Sequence, residues 1–530
     1  MATYFYNCIV FLNNKIKNNP KVLDIIFISS IFIVCAIFIY IFHFDSWLSS
    51  DSAMTGICEI QLLRFGLNNL NKISWVHGFS YLFTYYITQY FFLKIFLKSL
   101  SDLMLTLNLF NGFCFILNII LLYLIFKKIL INKISALFLS VLYFFIPIVF
   151  QVSLYTNPNT FSLLFFLLSN LYFILYITKG KIINLILTFI FQIISVAMRL
   201  DTLLFYFSFI FFVLIFNKSF RKGFCIYLLS IIFSIFTLNF LQKLLNLNNR
   251  KDIFSIVNNI FNINFNNIIL NIGQIVISIG ISLVIITASL VIYFLIKKKY
   301  KIVLAFLILN IPFFLYIILC LPSMHIVRYL LPLHIGPLIF IGKWIDFLKN
   351  KRFQTIFLFI IYFFHFLTMP LSYFLVKKFY PLKRKYLSSE RIIVEYVPLG
   401  NIFLNTYYLR LEKRKSWNIA EYIVKNYDKV IILSNHNEML PYHFFFYYLF
   451  EDVVSYKETF VKRLYTKQGN KDFIFIYILD YFDEKLIWDY LSNPAYKDYF
   501  IHFPLNITPR TTKLYQEIEN FCKQNNRRLI

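Results

Sequence analysis

The chain has 530 residues, of which 59% are hydrophobic, 21% aromatic and only 15% charged, with a mean hydropathy of +0.69. Soluble domains carry about 25% charged and about 45–50% apolar residues, so a water-soluble enzyme is excluded and much of the surface must face lipid. Lys plus Arg number 52 against 25 Asp plus Glu, a formal charge of +27 that would suggest nucleic acid if it were spread over a soluble surface. The seven cysteines form no CxxC pair, and Cys35, Cys114, Cys225 and Cys320 lie in apolar runs, so neither a zinc site nor a disulfide framework is indicated.

A helix needs about 20 apolar residues to cross about 30 Å of hydrocarbon, and about eleven such runs follow one another. They are Leu23–His43, Leu103–Phe126, Ile134–Val152, Thr160–Thr178, Ile182–Met198, Thr202–Phe216, Phe224–Leu241, Ile272–Ile296, Ile302–Leu321, Tyr329–Ile345 and Gln354–Val376. Ser80–Ile95 is short and carries Thr84, Thr88, Gln89 and Lys94, so it reads as an interfacial helix lying along the membrane. The first run is long and lacks a small-residue cleavage site, which reads as a retained anchor rather than a signal peptide.

Basic residues flanking short loops stay on the cytoplasmic side. With eleven spans, the segments on that side carry about 19 basic residues, Lys127, Lys128, Lys133, Lys343 and Arg352 among them, against Asp24 and Asp346. About +17 of the charge is therefore an orientation signal, and nucleic-acid binding loses its main support. The same alternation puts residues 44–102 in a long first outer loop and residues 377–530 outside as a separate α/β domain. In that domain Trp417–Tyr427, Glu484–Ser492 and Thr512–Gln524 read as helices, and Val430–Ser434, Phe473–Leu479 and Tyr499–Leu505 as strands. It contains no G-x-G-x-x-G or phosphate loop.

The unusual polar residues collect at the outer ends of the spans. Asp51, on a loop held against the membrane, would be partly desolvated and so a better base for a hydroxyl or amine; the plainer alternative is an N-cap aspartate. Asp45 carries the same ambiguity nearer the span. Arg199 and Asp201 share a tight turn, either as an anion-binding pair or as a self-satisfied ion pair. Arg328, beside His325 and Tyr329, either completes a cationic pocket for a lipid phosphate or snorkels at the interface. His77, after Trp75, reads more simply as structural. The aromatic residues Tyr81, Tyr85 and Tyr86 read as an interfacial belt, and Tyr155-Thr156-Asn157-Pro158-Asn159 forms an outer turn.

This ordered set resembles the C-type membrane glycosyltransferases, among them protein O-mannosyltransferases and lipid A aminoarabinose transferases. The resemblance rests on the first span with Ser50-Asp51-Ser52-Ala53, the segment Trp75–Tyr86, the Asn157-Pro158-Asn159 turn, Met198-Arg199-Leu200-Asp201, Arg328-Tyr329-Leu330-Leu331-Pro332 and the terminal outside domain. It implies a polytopic helical membrane protein in a bacterial plasma membrane, with its N-terminus cytoplasmic. The implied reaction moves a sugar from a polyprenyl-phosphate donor to a lipid, glycan or protein acceptor on the outer face, with inversion. Asp51 would be the catalytic base. Asp45, His77, Tyr155, Asn157, Arg199, Asp201, His325, Arg328 and Tyr329 would contact substrate, with Arg199 and Arg328 on the departing phosphate. Where relatives have Asp-Glu, this chain has Asp51-Ser52, and Asn157 or Asn159 replaces a second acid, so no metal or other cofactor is expected. The rival readings are a transporter or flippase for lipid-linked glycans, which would show broken helices or mid-membrane charges, a polysaccharide polymerase, and a non-enzymatic scaffold.

Overall fold

The computed structural model describes residues 20–42, 79–98, 103–130, 132–154, 156–199, 202–216, 221–244, 265–319, 334–348, 353–368, 422–435, 452–455, 461–465, 471–478, 484–503 and 509–529, with isolated positions at 331, 332, 350 and between 55 and 67. The first of these ranges to the ninth hold helices α1 (Pro20–Phe42), α2 (Phe79–Phe96), α3 (Leu103–Ile129), α4 (Lys133–Phe144), α5 (Pro147–Ser153), α6 (Pro158–Lys179), α7 (Ile182–Met198), α8 (Thr202–Phe216), α9 (Arg221–Leu244), α10 (Phe265–Ile279), α11 (Ile281–Ile296), α12 (Tyr300–Leu309), α13 (Ile311–Leu319) and α14 (Ile335–Phe347). A further apolar helix, α15, covers Phe353–Thr368.

These helices are inverted relative to those of a soluble protein. On α7 the buried residues include Asn184, Thr188, Gln192 and Ser195, spaced along one helical face, whereas Ile182, Ile183, Ile186 and Ile190 are exposed. On α1 the exposed residues include Ile25, Phe32, Ile33, Ile37, Tyr40 and Ile41. Such a surface requires lipid, and polar side chains pointing inward are how helices associate there. Among the described residues α1, α3 and α6 are each long and apolar enough to cross a membrane unaided.

Three expected spans are broken. Ile134–Val152 divides into α4 and α5 at Phe145-Ile146, because Pro147 has no N–H to donate and its ring collides with the carbonyl one turn back. Ile272–Ile296 divides into α10 and α11 at Gly280, whose φ of 96° is open to glycine. Ile302–Leu321 divides into α12 and α13 at Asn310, whose side-chain amide donates to the Phe306 carbonyl at 2.7 Å in competition with the helix ladder. Helix α14 begins only at Ile335, after a 3-10 turn, where the span was expected to start at Tyr329.

Two of these breaks are tied together by His365 on α15. Its Nε2 lies 3.1 Å from the Phe145 carbonyl and its Nδ1 2.9 Å from Ser282 Oγ. A carbonyl only accepts, so Nε2 carries the proton and Nδ1 accepts from the serine. The neutral imidazole thereby satisfies a carbonyl at the α4–α5 break and holds α11 against it.

The polar residues sort to opposite poles. At one, Asp24 accepts from Tyr123 at 2.8 Å and pairs with Lys127 and Lys133, joining the start of α1, the end of α3 and the start of α4. Lys343 pairs with Asp346 at 3.8 Å and donates to the Ile129 carbonyl, and Asn132 bonds Gln354, which brings α14 and α15 to the same pole.

The tail has its own core. Five strands, β1 (Lys429–Asn435), β2 (Asp452–Ser455), β3 (Val461–Tyr465), β4 (Asp472–Ile478) and β5 (Phe500–His502), form a sheet of order β2-β3-β4-β1-β5. Strand β1 is parallel to both β4 and β5, and its continuous buried run Val430-Ile431-Ile432-Leu433 suits a central strand covered on both faces. Helices α16 (Glu484–Leu491) and α17 (Pro509–Gln524) supply Ile487, Leu491, Leu514 and Ile518 to its core. Expected strand and helix positions are found within a few residues, whereas β2 and β3 were not expected. The part of Trp417–Tyr427 before residue 422 lies outside the described residues.

Gly280 offers a direct test of the α10–α11 break. A Cβ there would lie 2.9 Å from His365 Cε1 in a backbone conformation L residues rarely adopt, whereas one on Gly273 meets nothing within 4 Å. Gly280→Ala is expected to cost about 1–3 kcal/mol and Gly273→Ala less than about 0.5 kcal/mol, read as thermal unfolding of the detergent-purified protein.

Candidate functional site

Among the described residues, the pole opposite the Asp24 pole is tied together mainly by side-chain amides. Asn108, Asn111 and Asn118 are buried on one face of α3. Asn111 donates to the Val152 and Ser153 carbonyls, both at 3.1 Å, which satisfies acceptors freed where α5 ends. Asn118 donates to the Thr160 carbonyl at 2.8 Å, and Asn108 Oδ1 accepts from the Thr156 N–H at 2.9 Å. These bonds fix the start of α6 against α3.

Asn157 is the N-cap of α6, with Pro158 following it. Its Oδ1 accepts from the N–H groups of Asn159 and Thr160 at 3.1 and 3.2 Å, and its Nδ2 donates to the Val152 carbonyl at 2.8 Å. The buried Asn157 amide thus caps α6, the structural role that accompanies its expected place at the site.

Arg199 follows α7 and is half-buried. Its Nη1 donates to Asn159 Oδ1 at 2.9 Å, so the second asparagine of the turn holds the guanidinium at the start of α6. The helices behind it are locked by Ser162 and Ser195, each hydroxyl donating to the other's carbonyl at 3.4 and 3.3 Å. Because Asn157 already occupies N–H groups of α6, the attraction of this pole for an anion comes mainly from the guanidinium rather than from the helix terminus.

A second polar group lies behind the aromatic face of α2. Glu59 is fully buried, and neither of its carboxyl oxygens nor the amide atoms of Gln89 has a hydrogen-bond partner among the described residues. Burial pushes the Glu59 carboxyl well above the usual range, which favours its neutral form. Tyr85 and Tyr86 lie beside it and are fully buried, which corrects the expectation of an interfacial belt for these two. The Tyr85 ring lies 5.5 Å from Phe161, one residue after Thr160, so this group and the Arg199 group share a wall.

Further into the bundle a small apolar cavity of about 20 Å³ lies between α3, α6, α8, α12 and α14, with Leu122, Phe166, Phe209, Leu309 and Ile339 among its lining residues. The one amide in its wall, Asn170, accepts from Tyr227 at 2.6 Å. Among the described residues no three His, Cys, Asp or Glu side chains gather as metal ligands would.

Of the expected site residues the structure brings Asn157 and Arg199 together. Asp45, Asp51, His77, Tyr155, Asp201, His325, Arg328 and Tyr329 lie outside the described residues. Glu59, Gln89 and the α3 asparagines were not anticipated. The available signals were that Glu59 is the sole acid between Asp51 and Asp102, and that Asn108, Asn111 and Asn118 recur at helical spacing in an apolar span.

Residues 86–241 match the family model described as dolichyl-phosphate-mannose-protein mannosyltransferase, a segment that takes in Gln89, Asn157 and Arg199 but not Glu59. The crystal structure of ArnT from Cupriavidus metallidurans bound to undecaprenyl phosphate is similar over 78% of this chain and 84% of that one, with a TM-score of 0.52 at 10% identity. The apo state of the same protein aligns over 80% and 85% of the two chains, with a TM-score of 0.48 at 9% identity. No curated protein matches the sequence. The resemblance drawn from the ordered motifs is thus met by a family model over part of the chain and by the fold over most of it.

Glu59 makes stability depend on pH with a definite sign. A carboxyl whose pKa folding raises is harmless below its unfolded value of about 4.3, and its charge destabilises increasingly as pH rises above that. Glu59→Gln is therefore expected to stabilise the protein at pH 7.5 by about 1–3 kcal/mol and to have little effect near pH 4, compared by thermal unfolding at the two pH values.

Proposed function

We propose that this chain, a membrane protein with the fold of the C-type glycosyltransferases, moves a sugar from a polyprenyl-phosphate donor to a hydroxyl or amine of a lipid, glycan or protein acceptor. The observation that carries this reading is Arg199, a half-buried guanidinium held by Asn159 at the start of α6, within the segment that matches the mannosyltransferase model. A guanidinium fixed in this way suits the phosphate that gains charge as the sugar leaves.

In this reading Asp51 takes the proton of the acceptor nucleophile while that nucleophile attacks the sugar C1 from the face opposite the phosphate, inverting the anomeric centre. Arg328 joins Arg199 on the phosphate. Asp45, His77, Tyr155, Asp201, His325 and Tyr329 line the approach of donor and acceptor, and Asn157 positions Arg199 through the turn that it caps. About eleven crossings put the amide pole and residues 377–530 on the outer face of a bacterial plasma membrane, with the Asp24 pole in the cytoplasm.

A transporter for lipid-linked glycans is the second reading, favoured by the breaks at Phe145-Ile146, Gly280 and Asn310, since discontinuous helices are a transporter feature. The two readings part on Asp51. In membranes supplied with polyprenyl-linked sugar, Asp51→Asn is expected to lower transfer by about 100-fold or more with expression unchanged, and Arg199→Ala to weaken use of the donor by about tenfold to 100-fold. Retained transfer by Asp51→Asn would remove Asp51 from the chemistry.

A further inference from the structure

Glu59 and Gln89 present an unusual arrangement for a protein interior. Both carboxyl oxygens of Glu59 and both amide atoms of Gln89 are buried without a hydrogen-bond partner among the described residues. Leaving such groups unmet is costly, and an apolar pair of the same shape would be the more stable filling. Their presence on the wall shared with Arg199 calls for something that satisfies them when it binds.

The chemistry of the group narrows what that is. A neutral carboxyl, a primary amide and the adjacent Tyr85 phenol can each donate and accept, and none carries positive charge. An anion is disfavoured, since the group offers it acceptor oxygens and no cation. The surrounding rings are Tyr85, Tyr86, Phe110 and Phe161, with Tyr85 5.8 Å from Tyr86, 6.5 Å from Phe110 and 5.5 Å from Phe161. Aromatic walls with a few groups that both donate and accept fit a neutral polyhydroxyl ring.

We propose that Glu59, Gln89 and Tyr85, fully buried in this structure, meet the hydroxyls of the transferred sugar when it binds and so set donor preference; this rests on the glycosyl-transfer reading. Arg199, held by Asn159 two residues before Phe161, takes the phosphate, and the two groups divide one donor between them. Glu59 is assigned to specificity and not to the base, because its buried carboxyl lies against Tyr85 and Gln89 in the sugar-facing group.

The test uses the full chain in lipid nanodiscs and two kinds of probe, sugar-free undecaprenyl phosphate and its mannose, glucose and galactose esters. The unmodified protein is expected to bind at least one ester more tightly than undecaprenyl phosphate. Glu59→Leu and, separately, Gln89→Leu are expected to erase that preference, weakening the favoured ester by about tenfold or more while leaving undecaprenyl phosphate within about twofold. Glu59→Gln, which keeps a donor and an acceptor, is expected to retain most of the preference. Equal loss on both kinds of probe, loss on neither, or an unmodified protein that binds undecaprenyl phosphate and all three esters alike would overturn the pocket and leave the glycosyl-transfer reading standing. An unmodified protein that binds none of the probes would overturn both.

Discussion

Lipid offers no hydrogen-bonding partner, so every polar side chain on a helix that meets it must find one inside the protein. The bundle is organised by that requirement. Asn111 answers the carbonyls at the end of α5, Asn118 answers Thr160, Tyr227 answers Asn170, Ser230 donates to Gln192 at 2.7 Å, and Ser162 and Ser195 answer each other. Each of these bonds joins two helices, and other faces of α3, α7 and α9 carry exposed apolar residues such as Phe113, Ile186 and Phe233. Apolar packing alone would not fix the arrangement, since lipid tails are as apolar as the side chains they replace.

The same requirement explains how the poles differ. The Asp24 pole pairs lysines with acids and closes on itself. The amide pole fixes α3, α6 and α7 through side-chain amides and hydroxyls, and Asn159 holds the Arg199 guanidinium at the start of α6. His365 does comparable work in the interior, where it turns the weakness of two broken helices into a cross-link between them.

The positions of the helices and the side on which their basic ends gather were legible because both follow from runs of residues: about 20 apolar positions for a crossing and several lysines for an end. The breaks were not, because a hydropathy run averages over a single Gly280 or Pro147 and registers only that the neighbours are apolar. In the tail, β1 and β4 stood out as buried apolar runs, whereas β3, Val461-Lys462-Arg463-Leu464-Tyr465, carries two central charges and looks like a loop. Arg199 and Asn157 were legible as unusual residues at a turn, but the division of labour between a capping and a guanidinium-holding asparagine needed the geometry. Glu59 was hidden for a different reason. A glutamate in an amphipathic stretch reads as solvated, and only the packing of α2 over it shows that it is not.

The central claim is that the amide pole handles a sugar attached to a lipid phosphate. It is tested most directly by mass spectrometry of lipid-linked sugars and surface glycans from cells with and without the gene. The account predicts that loss of the gene makes one polyprenyl-linked sugar accumulate while that same sugar disappears from one acceptor. An unchanged profile of both lipid-linked sugars and glycans would contradict it.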